Sequence, residues 1–274
     1  MKQVYVSSKS NKTVMFAASL QEKKYREQHG AFFVEGWKLL EEAAKNHLPI
    51  THIFLLEDRA ESFMERLEAS GIAQMYPNCE LIVVSLPCFE KISTEKSPQG
   101  VITVIKHLDF FKRCIKINKE DILDTDTVLF LDSVRDPGNL GAIIRSAVAF
   151  GTELLLLSDD CADLYNPRTV RAAMGNLFCV RTIRVKDVTG SVAALRSLGR
   201  RVLAAELTER AIPLHEAAVC SRDVFVIGNE GHGIEAEVSA GCDASVYIPM
   251  RSTVESLNAA VAASVLLWEQ SKKI

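Results

Sequence analysis

Beyond residue 126 the chain repeats one pattern. A short apolar run gives way to a polar turn, and apolar positions then recur three and four residues apart. The runs at 128–131, 154–157, 179–183, 202–205, 224–227 and 246–248 read as strands. They are apolar at nearly every position rather than at alternate ones, which is the mark of strands covered on both faces. Six of them separated by helical patterns predict an α/β domain with a mostly parallel sheet and helices on both sides. After the first run comes a turn at 132–138, then a helix with Leu140, Ile143, Ile144, Ala147 and Val148 on its core face. Arg145 lies off that stripe and is free to point toward the rim of the sheet. The last helix, 258–270, is rich in Ala and Val, and so apolar a helix requires cover, with a second subunit as one source.

The first hundred residues read differently. Helices are expected over 35–46 and 60–70 and strands over 50–56, 81–84 and 101–105, with a Ser-Pro-Gln-Gly turn at 97–100 and a basic helix leading in. This predicts a smaller α/β domain over 1–105, a charged linker over 106–125, and the larger domain over 126–274.

Composition narrows the field. Of 274 residues, 48% are hydrophobic and 24% charged, as in a globular protein. No apolar run approaches the roughly 18 residues of a membrane span, and the N-terminus lacks the apolar core of a signal peptide, so a cytoplasmic location is expected. The seven cysteines are scattered without a Cys-x-x-Cys pair, which argues against a disulfide framework or a zinc site; no metal is expected. The net charge of −3 conceals two basic stretches. Residues 1–30 hold six Lys and Arg against two Glu, and residues 106–119 hold five against one Asp. Each is a solvated face or a phosphate-binding surface.

Three strings carry candidate chemistry: Asp-Pro-Gly-Asn-Leu-Gly-Ala-Ile-Ile-Arg at 136–145, Ile-Gly-Asn-Glu-Gly-His-Gly-Ile at 227–234, and Ile-Pro-Met-Arg-Ser-Thr-Val-Glu-Ser-Leu-Asn at 248–258. Each begins where a strand ends, and open α/β sheets bind ligands at strand ends. The second string has the order G-x-x-G-x-G at the fifth strand, not the G-x-G-x-x-G of a dinucleotide site at the first, and no P-loop sequence occurs. Glycines there let backbone approach a flat ligand, or simply make a tight turn. Ser256 and Asn258 open the last helix as capping residues do.

Together the three strings resemble those of the SpoU (TrmH) family of RNA ribose 2′-O-methyltransferases, within the SPOUT superfamily, over the whole of 126–274. The family's first motif, N-x-G-x-x-x-R, is matched by Asn139, Gly141 and Arg145. Its second, G-N-E-G-x-G, is matched by Gly228, Asn229, Glu230, Gly231 and Gly233. The third is matched by Ile248, Pro249 and Met250 followed by Ser256, Leu257 and Asn258. Ser252 stands where the family often has glycine, and Ala173 where serine is frequent. The stretch 31–43, with the later Pro-Gln-Gly-Val-Ile, is similar to the family's N-terminal substrate-binding domain, which gives both basic segments an RNA role.

The resemblance implies a deep trefoil knot, a homodimer, and S-adenosylmethionine held by Gly228, Asn229, Gly233, Ile248, Met250, Ser256 and Leu257. It implies methyl transfer to a ribose hydroxyl with Arg145, Asn139, Glu230 and Asn258 as the catalytic set. Asn139 would position the ribose, and Glu230 would orient Arg145 or an asparagine. Arginine stays protonated at any physiological pH, so Arg145 is expected to hold an RNA phosphate and stabilise developing alkoxide charge rather than act as base. The substrate expected is ribosomal RNA; the alternatives are transfer RNA, or an inactive RNA-binding assembly factor of the same fold.

Overall fold

The computed structural model describes every residue except Glu230, Ser252, Val254, Glu255, Lys273 and Ile274. The chain forms two compact units. One comprises Met1–Leu108 and Tyr165–Phe178; the other comprises Asp109–Leu164 and the chain from Cys179 onward.

The first unit contains β1 (Lys2–Val6), α1 (Lys12–Ser19), α2 (Lys23–His29), β2 (Ala31–Glu35), α3 (Trp37–Lys45), β3 (Ile50–Leu56), α4 (Ala60–Ala69), α5 (Ile72–Met75), β4 (Glu80–Val84), α6 (Leu86–Ile92) and β5 (Val101–Lys106). Its sheet has the order β1-β4-β3-β5-β2. The strands β1, β4 and β3 run parallel, and β5 is antiparallel to both β3 and β2. Phe33, Phe54, Ile82, Ile102 and Val104 pack with Val14 and Ala17 of α1 and with Phe89 and Ile92 of α6. Two strands, β1 and β2, escape the sequence pattern. Four of the five β1 residues are exposed, so no apolar run marks it. The β2 run is apolar but short, and it stands one residue from the helical periodicity of α3.

The second unit begins within the stretch expected to be a linker. There β6 (Phe111–Cys114) pairs with a later strand, and Lys112 forms an ion pair with the buried Asp121. The chain continues through β7 (Val128–Leu131), α7 (Pro137–Ala149) and β8 (Leu154–Ser158). It then contributes α8 (Pro167–Ala173) to the first unit. There Tyr165 stacks on Phe32 and His107, with ring centroids 4.5 and 4.4 Å apart, and accepts a hydrogen bond from the Leu108 N–H. Arg171 forms an ion pair with Glu95.

The remaining elements are β9 (Arg181–Val185), α9 (Val188–Ser197), β10 (Val202–Ala205), β11 (Ile212–Pro213), β12 (Val224–Ile227), α10 (Ala236–Gly241), β13 (Ala244–Tyr247) and α11 (Ala259–Ser271). The eight strands are ordered β11-β13-β10-β12-β7-β8-β9-β6, and every pair is parallel. All residues of β7, β8 and β12 are buried, as the continuous apolar runs require. Each such side chain contributes about 1.5–3 kcal/mol through removal from water. Parallel pairing sets all the carboxyl ends on one edge, and the loops carrying the three strings leave from that edge.

Candidate functional site

The loop after β12 is held at both ends. The backbone N–H groups of Asn229 and Gly233 each donate to the other's carbonyl at 2.9 Å, drawing the two arms of the turn together. The Asn229 side chain fixes that turn. Its Oδ1 accepts from the Gly231 N–H at 2.8 Å, and its Nδ2 donates to the Ser133 carbonyl at 2.9 Å, in the loop after β7. Nearby, the buried Asp132 carboxylate accepts from the Glu235 N–H. Burial pushes the Asp132 carboxyl above the ordinary aspartate range, the Glu235 N–H opposes that shift, and the charges of Asp160 and Glu235 reinforce it.

Gly228 itself is buried, and its missing side chain is a geometric requirement. A Cβ there would lie inside 3.0 Å of the Gly233 carbonyl group and the Ile234 nitrogen, all backbone atoms. Only glycine lets the two arms of the turn touch.

Along the carboxyl ends of β10, β12 and β13 lies a cavity of about 440 Å³. That is within the range of small-molecule sites. Its walls include Gly228, Asn229 and Gly233 from the second string, Ile248 and Met250 from the strand end of the third, and Ser256 and Leu257 before α11. The structure thus brings together all seven residues that the resemblance assigned to the methyl donor. Ile227, Ile234 and Leu266 add apolar surface. Sequence reasoning missed Glu206, Leu207 and Tyr247, which also line the cavity together with His232 of the second string. Glu206 and Leu207 follow directly on the β10 run, so strand-end position alone marked them; no motif did.

The other candidates divide. Asn258 caps α11, its Oδ1 accepting from the N–H groups of Ala260 and Val261 at 2.9 and 3.3 Å. Its Nδ2 donates to Asn139 Oδ1 at 2.9 Å. One asparagine therefore serves both as a helix cap and as a link between the first and third strings. Asn139 stands in the first turn of α7, where Asp136 is the N-cap and accepts the Asn139 N–H at 2.8 Å. The two helices also meet at Ser146 and Ser264, whose hydroxyls lie 2.7 Å apart. With Asn139 against Asn258 at one end and this pair further along, α7 and α11 run side by side in the same direction.

Arg145 lies six residues beyond Asn139, about 9 Å along the axis. It is exposed and is not a wall of the cavity. Glu230 lies outside the described residues. Within a single chain, α11 leaves an uncovered stripe: Val261 is 48% and Trp268 54% exposed, seven residues apart on one face. Among the described residues no helix is long and apolar enough to cross a membrane.

An all-parallel sheet with a nucleoside-sized cavity at its carboxyl edge, walled by the second and third strings and the end of β10, defines an α/β protein that binds a small ligand there. The chain belongs to the SpoU rRNA methylase family, whose model matches residues 126–268; residues 11–103 match the MRM3-like substrate binding domain. It is 32% identical over 98% of each chain to a 23S rRNA (guanosine(2553)-2′-O)-methyltransferase of Bacillus subtilis. It is 30% identical to a 23S rRNA (uridine(2479)-2′-O)-methyltransferase of Streptomyces viridochromogenes, over 96% of this chain and 90% of the other. The fold is similar to the crystal structure of an AdoMet-bound rRNA methyltransferase from Sinorhizobium meliloti, with a TM-score of 0.82, 27% identity and 97% of each chain covered.

Proposed function

We propose that this protein transfers the methyl group of S-adenosylmethionine to a ribose 2′-hydroxyl of large-subunit ribosomal RNA. The observation that supports this best is the convergence of the second and third strings on one cavity, with the first string tied to the third by the Asn139–Asn258 hydrogen bond. The cavity suits the cofactor. Apolar walls from Ile227, Ile248, Leu257 and Leu266 fit a flat neutral adenine, and the absence of a side chain at Gly228 lets the turn close beside them. When bound, the cofactor supplies an electrophilic methyl group.

The chain's own residues then have separable roles. Asn229, tied to Ser133, keeps the glycine turn in place. The Asn139–Asn258 pair presents amide groups in the first turns of two adjacent helices, where a ribose can be hydrogen-bonded. Arg145, always protonated, contributes charge: it holds a phosphate beside the reacting sugar and stabilises the alkoxide that develops as the hydroxyl loses its proton. Glu230 orients Arg145 or an asparagine in this scheme.

The exposed position of Arg145, away from the cavity walls, favours a shared site. The protein acts as a homodimer in which the uncovered Val261–Trp268 stripe is buried and one subunit's Asn139 and Arg145 complete the site of the other. The segment following β13 passes through a loop to form the trefoil knot of this fold class. The domain over 1–105 binds surrounding RNA, with the basic stretch in residues 1–30 facing phosphate, and the protein works in the cytoplasm. Titration calorimetry with S-adenosylmethionine tests the reading. Binding of one equivalent per chain is expected, and an absence of binding would remove it.

A further inference from the structure

Resting on the reading of the cavity as the methyl-donor site, we propose that Glu206 is its ribose-recognition residue, its carboxylate accepting hydrogen bonds from the 2′- and 3′-hydroxyls of the cofactor's adenosine. The placement follows from strand register. Ala204 of β10 pairs with Val226 of β12 and with Ser245 of β13. Two residues further on, Glu206 leaves β10 level with Gly228 on one side and Tyr247 on the other. It is therefore between the two strand ends that supply Gly228 and Tyr247, and it is one of the cavity's walls.

Its carboxylate is held at one end only. Oε1 accepts from the hydroxyl of Ser239 in α10 and, at 2.7 Å, from that of Ser245 in β13. The backbone N–H of Glu206 donates to the Val246 carbonyl at 3.0 Å, so the residue is fixed at backbone and side chain alike. Oε2 has no hydrogen-bond partner among the described residues. A half-buried carboxylate on a residue that lines a nucleoside-sized space, with one oxygen clamped by two hydroxyls and the other left without a hydrogen bond among the described residues, can accept from a ligand donor. A ribose offers two donors on adjacent carbons, which a carboxylate can take together.

The chemistry is the one that dinucleotide folds use, where an acidic residue at the end of a strand binds ribose hydroxyls beside a glycine-rich turn on the neighbouring parallel strand. In this chain the same two parts have been moved. The glycine turn follows β12 and the acid follows the adjacent β10.

The test is calorimetric binding of S-adenosylhomocysteine and of its analogue lacking both ribose hydroxyls, to the wild type, E206Q and E206A. Hydrogen bonds to a charged acceptor predict that the wild type binds the diol ligand about 10-fold to 100-fold more tightly. E206A should bring the two affinities close together, and E206Q should fall between. In turnover assays E206Q should raise KM for the methyl donor with little change in kcat, since the contact is the same before and during transfer. Equal wild-type affinity for the two ligands overturns the inference while leaving the cofactor reading intact. So does an E206A variant that retains full discrimination. If neither ligand binds the wild type, the cofactor reading itself fails and takes this one with it. If E206A, deprived of its serine contacts, does not fold, E206Q carries the comparison, and full discrimination retained there overturns the inference.

Discussion

Replacing Gly228 by alanine should disable the cavity, while the same change at its neighbours should not. A Cβ at Gly228 would fall inside 3.0 Å of three backbone atoms of residues 233 and 234, where ordinary contact begins at 3.4 Å. Relief requires the turn to open by about 1 Å, and it cannot open freely. Asn229 and Gly233 are joined by two 2.9 Å backbone hydrogen bonds, and Asn229 is tied to Ser133. Overpacking of this kind costs about 1–3 kcal/mol. Spent on the geometry of a binding loop, that is about 10-fold to 100-fold in affinity. At Gly231 the nearest atom to a new Cβ is Asn229 Oδ1 at 3.4 Å, so alanine is tolerated. At Gly233 nothing lies within 4 Å, but φ is +71°, and an alanine there costs about 1–2 kcal/mol of backbone strain. Calorimetry with S-adenosylhomocysteine, with thermal melts as a control for folding, should rank the variants G231A, G233A, G228A in order of increasing loss. A G228A protein that binds within about twofold of wild type would refute the argument that close backbone approach shapes the site.

Three further outcomes are expected. Arg145→Lys should leave cofactor affinity near normal but reduce turnover at least about 10-fold, because lysine keeps the charge and loses the planar fork; unchanged turnover removes Arg145 from the mechanism. Asn139→Ala should lower initial rates at least about 10-fold while stability shifts by less than about 1 kcal/mol, since Asn258 keeps its capping bonds; a purely structural asparagine would show the reverse. The third outcome concerns pH. The folded-state pKa of Asp132 is raised, so its contribution to stability is complete below the unfolded value and lost as pH rises through the folded one. The difference in Tm between Asp132→Asn and wild type should therefore favour the variant more at about pH 7 than at about pH 4. A difference that does not vary with pH would contradict a burial-raised pKa.

The larger domain was legible because its physics is periodic. Strands buried on both faces must be apolar throughout, and the runs over 128–131, 202–205 and 224–227 coincide with β7, β10 and β12. The edge strand β6 has the sequence Phe-Lys-Arg-Cys, with both central residues exposed, and nothing in its polarity separates it from a linker. Nor does any local pattern announce that Tyr165–Phe178 joins the first unit. That follows from Tyr165 finding Phe32 and His107, partners more than fifty residues away in the chain. In the site, glycine spacing and the Ser-Leu-Asn cap identified backbone-shaped walls. Glu206 was invisible because a lone acid after a strand carries no signature until the register sets it beside Gly228. Arg145 was correctly read as leaving the core stripe, but its distance from the cavity walls depends on where the cavity forms.

The most direct test of the central claim is to incubate the protein with S-adenosylmethionine labelled at the methyl group and with large-subunit ribosomal RNA, and then to hydrolyse the RNA with alkali. A methyl group on the 2′-oxygen blocks cleavage of the adjoining phosphodiester, so the account predicts that the label appears in an alkali-resistant dinucleotide. Label recovered in single nucleotides, as from a methylated base, or no transfer to any RNA offered, would contradict it.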